Sequence, residues 1–268
     1  MESVYTRNQN LGKFREQVDT RLDEGFDLID VEYGDGRWFG TFNDNPGDSA
    51  YSFSRNFDDF TDSIDARFDE GYSLVDVEYG DGRWFASFGE NSGRTAYSYN
   101  SNNFTGFTEQ IEARRDDDLD LVDIEYGDGR WFASFGENSG NSAFYTSDSS
   151  DFEDFTATIE ARWDDDFNLV DLEYDGDIWI GTFNEDSGSN AYSFNRNIDK
   201  FTESIEERLD EGYDLINVEY GDGLWIGIFG GGSGTSSNET DGTAEPDNAE
   251  GSGLQWQYVP WSSIPNLA

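Results

Sequence analysis

Val31-Glu32-Tyr33-Gly34-Asp35-Gly36-Arg37-Trp38-Phe39 decides the fold, because the chain writes this stretch five times. The other copies occupy residues 77–85, 124–132, 172–180 and 218–226. Their tryptophans, Trp38, Trp84, Trp131, Trp179 and Trp225, are spaced 46, 47, 48 and 46 residues apart. A fixed period of this length marks a repeat architecture. Within the stretch, Asp-Gly between two alternating runs is the strongest short hairpin signal. A two-residue turn at Asp35-Gly36 sets Tyr33 opposite Trp38, Val31 opposite Gly40 and Ile29 opposite Phe42, all on one face. The residue opposite Val31 and its counterparts is always small: Gly40, Ala86, Ala133, Gly181, Gly227. The other face carries Asp30, Glu32 and one bulky apolar residue per copy: Phe39, Phe85, Phe132, Ile180 or Ile226. A sheet apolar on both faces needs a cover on each, and the neighbouring repeat is the expected second cover.

Upstream of each hairpin lies an amphipathic helix. Phe57, Phe60, Ile64 and Phe68 form one stripe at helical spacing, repeated by Leu11, Phe14, Val18 and Leu22. Gly25, Gly71 and Gly212 stand just past the helix ends, with Asp118 and Asp166 in that place in the other two copies. Downstream, short runs at 50–53, 96–99, 143–145 and 191–194 read as third strands. The fifth copy has none after its hairpin, whereas residues 3–8 resemble 51–56, so Val4 and Tyr5 are expected to complete the fifth unit. Such an offset closes a ring and leaves no bare edge. The expected fold is an α+β repeat protein, a closed five-unit propeller-like toroid with one helix and about three antiparallel strands per unit. An open α/β solenoid is the alternative. The repeats run at about 9–55, 56–102, 103–150, 151–196 and 197–229, the last joined by strand 3–7.

Composition narrows the function. The 268 residues carry 16 Lys and Arg against 59 Asp and Glu, a net charge of −43, with Lys13 and Lys200 as the only lysines. Such a surface repels nucleic acid and anionic membranes. Acid-rich, lysine-poor composition suits a protein working in high salt, where screening relieves self-repulsion; the rival is a cation-loaded protein, with Ca2+ or Mg2+ neutralising clustered carboxylates and Ca2+ as the candidate cofactor. The absence of Cys and His removes disulfides, thiolate chemistry, His-based triads and ordinary zinc sites. No apolar run approaches transmembrane length, so no membrane insertion is expected. Met1 opens a polar segment with no visible signal peptide, which makes the cytoplasm the default compartment, with non-cleaved export as the alternative.

Four sets of residues are candidates for a site. Asp30, Glu32, Asp76, Glu78, Asp123 and Glu125 would line a central channel and hold a cation, although Asn217 breaks the Asp series. The simpler role for the recurrent Glu is to pair with Arg21, Arg67, Arg114, Arg162 and Arg208 and tie helix to sheet. Asn45, Asn91, Asn138 and Asp186 lie in recurrent polar loops that could bind sugars in a lectin-like manner. Residues 230–253 read as a flexible acidic Gly/Ser linker. Residues 254–268 then carry no charge and include Leu254, Trp256, Tyr258, Val259, Trp261, Ile264 and Leu267, a docking peptide for a second copy or a shell or scaffold protein.

The segment Arg208-Leu209-Asp210-Glu211-Gly212-Tyr213-Asp214-Leu215, followed by a strand, a Gly turn and Trp225, resembles Trp-containing repeats attached to plant casein-kinase-like and bacterial kinase proteins. The resemblance implies an accessory binding or scaffold module and brings no catalytic residues. The expected function is non-enzymatic: self-assembly or attachment to a larger structure, with carbohydrate binding and cation binding as alternatives.

Overall fold

The computed structural model describes residues 3–44, 47–90, 93–101, 103–137, 142–147, 151–185, 190–231 and 239–242. They form five repeat-like units, each a strand, a helix and a hairpin in that order. Unit one is β1 (Ser3–Asn8), α1 (Leu11–Asp23), β2 (Asp27–Gly34) and β3 (Arg37–Asn43). Unit two is β4 (Ser49–Ser54), α2 (Phe57–Asp69), β5 (Tyr72–Gly80) and β6 (Arg83–Glu90). Unit three is β7 (Thr95–Ser101), α3 (Phe104–Asp116), β8 (Asp120–Gly127) and β9 (Arg130–Gly136). Unit four is β10 (Ser142–Thr146), α4 (Phe152–Trp163), β11 (Phe167–Tyr174) and β12 (Trp179–Glu185). Unit five is β13 (Asn190–Asn195), α5 (Ile198–Asp210), β14 (Asp214–Gly221) and β15 (Leu224–Gly230), followed by β16 (Glu239–Gly242).

Each sheet places the second hairpin strand in the middle, as in β1-β3-β2 and β4-β6-β5. Both outer strands are antiparallel to it and therefore parallel to each other. Parallel strands need a crossover, and the helix supplies it. This order corrects two expectations. The third strand of a unit precedes its helix, so 50–53 belongs with the hairpin that follows it. The N-terminal strand accordingly does not complete unit five: Val4 pairs with Phe42 and Tyr5 with Thr41, inside unit one. Unit five has its own third strand, β13, paired with β15. Within the expected linker, 230–253, Glu239–Gly242 lies parallel to β13 along the outer edge of that sheet, and 232–238 and 243–253 lie outside the described residues.

The hairpins form for the local reason read in the sequence. Asp35 and Gly36 both have positive φ, 47° and 71°, as do Asp81–Gly82, Asp128–Gly129 and Asp222–Gly223. Positive φ at both central residues is what a tight right-twisted hairpin turn requires. Tyr33 pairs with Trp38 and Val31 with Gly40 as expected, but Leu28, not Ile29, faces Phe42. A bulge at Ile29 shifts the register, and the same shift occurs in every unit. An extra residue on one strand keeps Leu28 and Val31 in the core while Asp30 and Glu32 stay on the opposite face.

The helices start at side-chain caps. Asn10, Asn56, Asn103, Asp151 and Asn197 each accept a hydrogen bond from a first-turn N–H. They end on left-handed residues: Gly25, Gly71 and Gly212, and, in the two units without glycine, Asp118 and Asp166 at φ 60° and 64°. Phe14 and Val18 of α1 pack with Leu28, Val31, Trp38 and Phe42 into the core of unit one.

That core is finished by the next unit. Phe85 of unit two lies in it, fully buried, 5.8 Å from the ring of Trp38. Phe132 enters the core of unit two, Ile180 that of unit three and Ile226 that of unit four. Phe39 of unit one enters the core of unit five, 6.0 Å from Trp225. The second apolar face of each sheet is thus covered by a neighbouring repeat, as its sequence demands. Tyrosines on the first strands follow the same rule: Tyr51 hydrogen-bonds Asp19 on α1, Tyr97 hydrogen-bonds Asp65 on α2, and Tyr5 reaches Glu206 on α5. Tyr5 therefore touches unit five through its side chain, although its backbone pairs in unit one. Among the described residues no helix is long and apolar enough to cross a membrane.

Candidate functional site

The first hairpin strands, β2, β5, β8, β11 and β14, are neighbours in succession, and β14 also neighbours β2. Each has one edge paired to its own hairpin partner and one edge facing another unit. The outward N–H groups on that second edge would be orphaned without a partner. The recurrent carboxylates supply it. Val31 N–H donates to Asp76 Oδ2 (3.0 Å), Val77 to Asp123 (3.2 Å), Ile124 to Asp171 (3.1 Å), and Val218 to Asp30 (3.2 Å). Two residues further along, Tyr79 N–H donates to Glu125 Oε1 (3.1 Å), Tyr126 to Glu173 (3.2 Å) and Tyr174 to Glu219 (3.1 Å). Every such bond crosses from one unit to the next, and Val218–Asp30 crosses from unit five to unit one.

The result is a buried cluster of four Asp (30, 76, 123, 171) and five Glu (32, 78, 125, 173, 219), each at most 7% exposed. The sequence candidates Asp30, Glu32, Asp76, Glu78, Asp123 and Glu125 are all in it. The Glu–Arg pairing expected from sequence is not made by these glutamates. Glu32 lies on the face away from α1, and Arg21, Arg67, Arg162 and Arg208 instead bind acids three residues on: Glu24, Glu70, Asp165 and Glu211. Arg114 reaches Ser98 and the carbonyl of Tyr97 on β7. The arginines therefore brace helix ends, and the glutamates join units.

Burial of so many acids in one place has an electrostatic cost. All nine carboxyls are pushed above their ordinary range, in every case by burial first, and in all but Asp171 the charge of neighbouring carboxylates adds to the rise. Glu125 is pushed up to about 8 by burial, offset by hydrogen bonds from Glu173 and Tyr79 N–H. Asp171 is pushed up to about 7 by burial, offset by hydrogen bonds that include Ile124 N–H and the Asn217 amide. At the fifth Asp position Asn217 inserts an amide: its Nδ2 donates to Asp30 Oδ1 (3.2 Å) and Asp171 Oδ1 (3.1 Å). The break in the Asp series removes one charge and cross-links two of those remaining.

Between these side chains is a cavity of about 210 Å3, lined by Asp30, Asp76, Asp123, Asp171 and Asn217. The bulge residues Ile29, Val75, Val122, Val170 and Ile216 form an apolar collar beside them. The bulge thus has a functional consequence invisible in an alternation pattern: it turns one aliphatic side chain per unit toward the cavity. Among the described residues no three acidic side chains are already drawn together around a metal position. The loop candidates Asn45, Asn91, Asn138 and Asp186 and the tail candidates Leu254, Trp256, Tyr258, Val259, Trp261, Ile264 and Leu267 lie outside the described residues. No known protein-family model matches the chain, and no curated protein matches it either.

Proposed function

We propose that the five units close into a propeller-like toroid and that the protein is a non-enzymatic assembly module, its tail docking on a second copy or a larger scaffold. Closure is supported by the seam between units five and one, which repeats the other seams: Phe39 fills the core of unit five, Asp30 accepts from Val218 N–H, and Arg7 pairs with Asp199 at 2.9 Å. The observation that carries the docking reading is the reversal of character at residue 254. Fifteen uncharged residues with two Trp and one Tyr follow a chain whose net charge is −43. Apolar surface of that size binds by burial, worth roughly 25 cal/mol per Å2 before ordering costs. Strand β16 starts the approach to it at the outer edge of unit five. Eleven residues separate Gly242 from Leu254. The resemblance to repeats attached to kinases points the same way, toward an accessory module.

Light scattering of the full chain against a chain ending at Gly232 tests the reading. The full chain is expected to self-associate, or to be retained by a scaffold partner through its isolated tail peptide, and the truncated chain to be monomeric. Two monodisperse monomers together with an inert tail peptide overturn it.

A further inference from the structure

We infer that the cavity between the inner strands binds one hydrated hard divalent cation, Ca2+ or Mg2+, through Asp30, Asp76, Asp123, Asp171 and Asn217. The site goes beyond the assembly reading and does not depend on the tail.

Acidic residues alone do not specify a ligand, since each could be an acceptor for a neighbour's N–H and nothing more. The orientation of Asn217 adds the second observation. Its Nδ2 is committed to Asp30 and Asp171, so its Oδ1 is directed elsewhere, and this oxygen is buried with no hydrogen-bond partner. The residue is 8% exposed and lines the cavity. Two further groups repeat the pattern. Thr41, directly across the hairpin from Asp30, donates its hydroxyl to that carboxylate at 3.1 Å. Ser87 and Ser134 hold the equivalent places across from Asp76 and Asp123, fully buried, and their hydroxyl oxygens have no partner. Directly opposed residues share a face, so these hydroxyls sit on the carboxylate side.

The cavity's acceptors are carboxylate and amide carbonyl oxygens, the donor set of a hard cation. A water molecule could satisfy one orphaned oxygen but would leave the mutual repulsion of the acids untouched. A divalent ion does both. No three carboxylates converge to direct ligation distance among the described residues, so the ion keeps part of its water shell and is held partly through those waters. The cavity, about 210 Å3, has room for that shell. The half-buried apolar collar of Ile29, Val75 and their counterparts lines one side of the cavity, where the low polarity strengthens the attraction.

The test uses the full chain, stripped with EDTA and titrated calorimetrically with CaCl2 and, separately, MgCl2 at ionic strength matched with NaCl. Bound metal is counted by elemental analysis after desalting. The expected result is one retained ion per chain and a melting temperature raised beyond the matched-salt control. Asp76→Asn with Asp123→Asn keeps an amide oxygen for Val31 and Val77 N–H but removes two charges. It is expected to weaken binding at least tenfold while the stripped variant melts no lower than the stripped parent. Asn217→Asp, which completes the ring of five, is expected to bind more tightly and melt lower when stripped. No saturable ion, or equal stoichiometry and affinity in parent and double variant, places any binding on the acidic exterior and overturns the inference. Should the double variant fail to fold, unchanged affinity in Asn217→Asp overturns it equally.

Discussion

Gly80→Ala places a methyl group at the seam between units one and two. Gly80 closes strand β5, and a Cβ there would stand 2.8 Å from Tyr33 Cδ1 and nearer still to Tyr33 Cβ and Cγ. Carbon atoms rest at about 3.5–4.0 Å, so relief demands a movement of roughly 1 Å. Tyr33 Cβ is fixed to the backbone of β2, and a rotamer change cannot move it. The strands themselves must part, which stretches the 3.0 Å bond from Val31 N–H to Asp76. Overpacking costs about 1–3 kcal/mol and a spoiled buried hydrogen bond about 1–3 more, giving roughly 2–6 kcal/mol together. For a domain of this size that lowers the melting temperature by about 4–24 °C. Gly82→Ala is the control: its φ is +69° with nothing within 4 Å, so only the left-handed backbone resists, at about 1–2 kcal/mol. Thermal and urea melts of both variants decide the matter. Equal losses, or a smaller loss in Gly80→Ala, refute the close-packed seam. The chain contains its own version of the substitution. In unit four Asp175 stands where the others have glycine, and there the hairpin ladder stops at Tyr174–Trp179 instead of running one pair further.

Two further outcomes follow from the same geometry. Because Glu125 is raised from 4.5 to about 8 in the folded chain, the folded state holds a proton that the unfolded state releases between those values. Its contribution is complete below pH 4.5 and is lost as pH rises through about 8, at up to roughly 1.4 kcal/mol per pH unit. Stability in EDTA should therefore fall from pH 5 to pH 8, and Glu125→Gln should flatten that slope; an unchanged slope shows that Glu125 does not carry the pH dependence. Phe85→Ala should cost about 3–5 kcal/mol, since the ring is fully buried. Hydrogen exchange should show the loss first in α1 of unit one, the element Phe85 covers; equal loss in α1 and α2 would contradict the shared core.

Much of the repeating unit is legible in its residues. The turn at Asp35-Gly36, the stripe of Phe57, Phe60, Ile64 and Phe68, and the need for a second cover over Phe39 each follow from a local rule that nothing in the tertiary structure overrides. The bulge at Ile29 is not legible, because Leu28-Ile29 offers two aliphatics and either could face Phe42. The partner of the N-terminal strand is not legible either, for a topological reason. Its likeness to 51–56 is real, but likeness identifies equivalent strands without saying which hairpin they join. The crossover through the helix settles that, since a strand before the helix lies parallel to the strand after it. In the sequence Asn217 only interrupts the Asp series, whereas in the fold its amide bridges Asp30 and Asp171. Spacing places Glu32 on the face away from the helix, and that face, not its charge, excludes the salt bridge to Arg21.

The sharing of Phe39 sets an order of events during synthesis. Units one to four each receive their last core residue from the segment translated next. Unit five receives its own from residue 39, which left the ribosome some 190 residues earlier. At about 5–20 residues per second the ring of Phe39 waits roughly 10–40 s for its site to exist. Through that interval the nascent chain presents an uncovered aromatic face beside β1, the surface a chaperone or a second nascent copy would engage first.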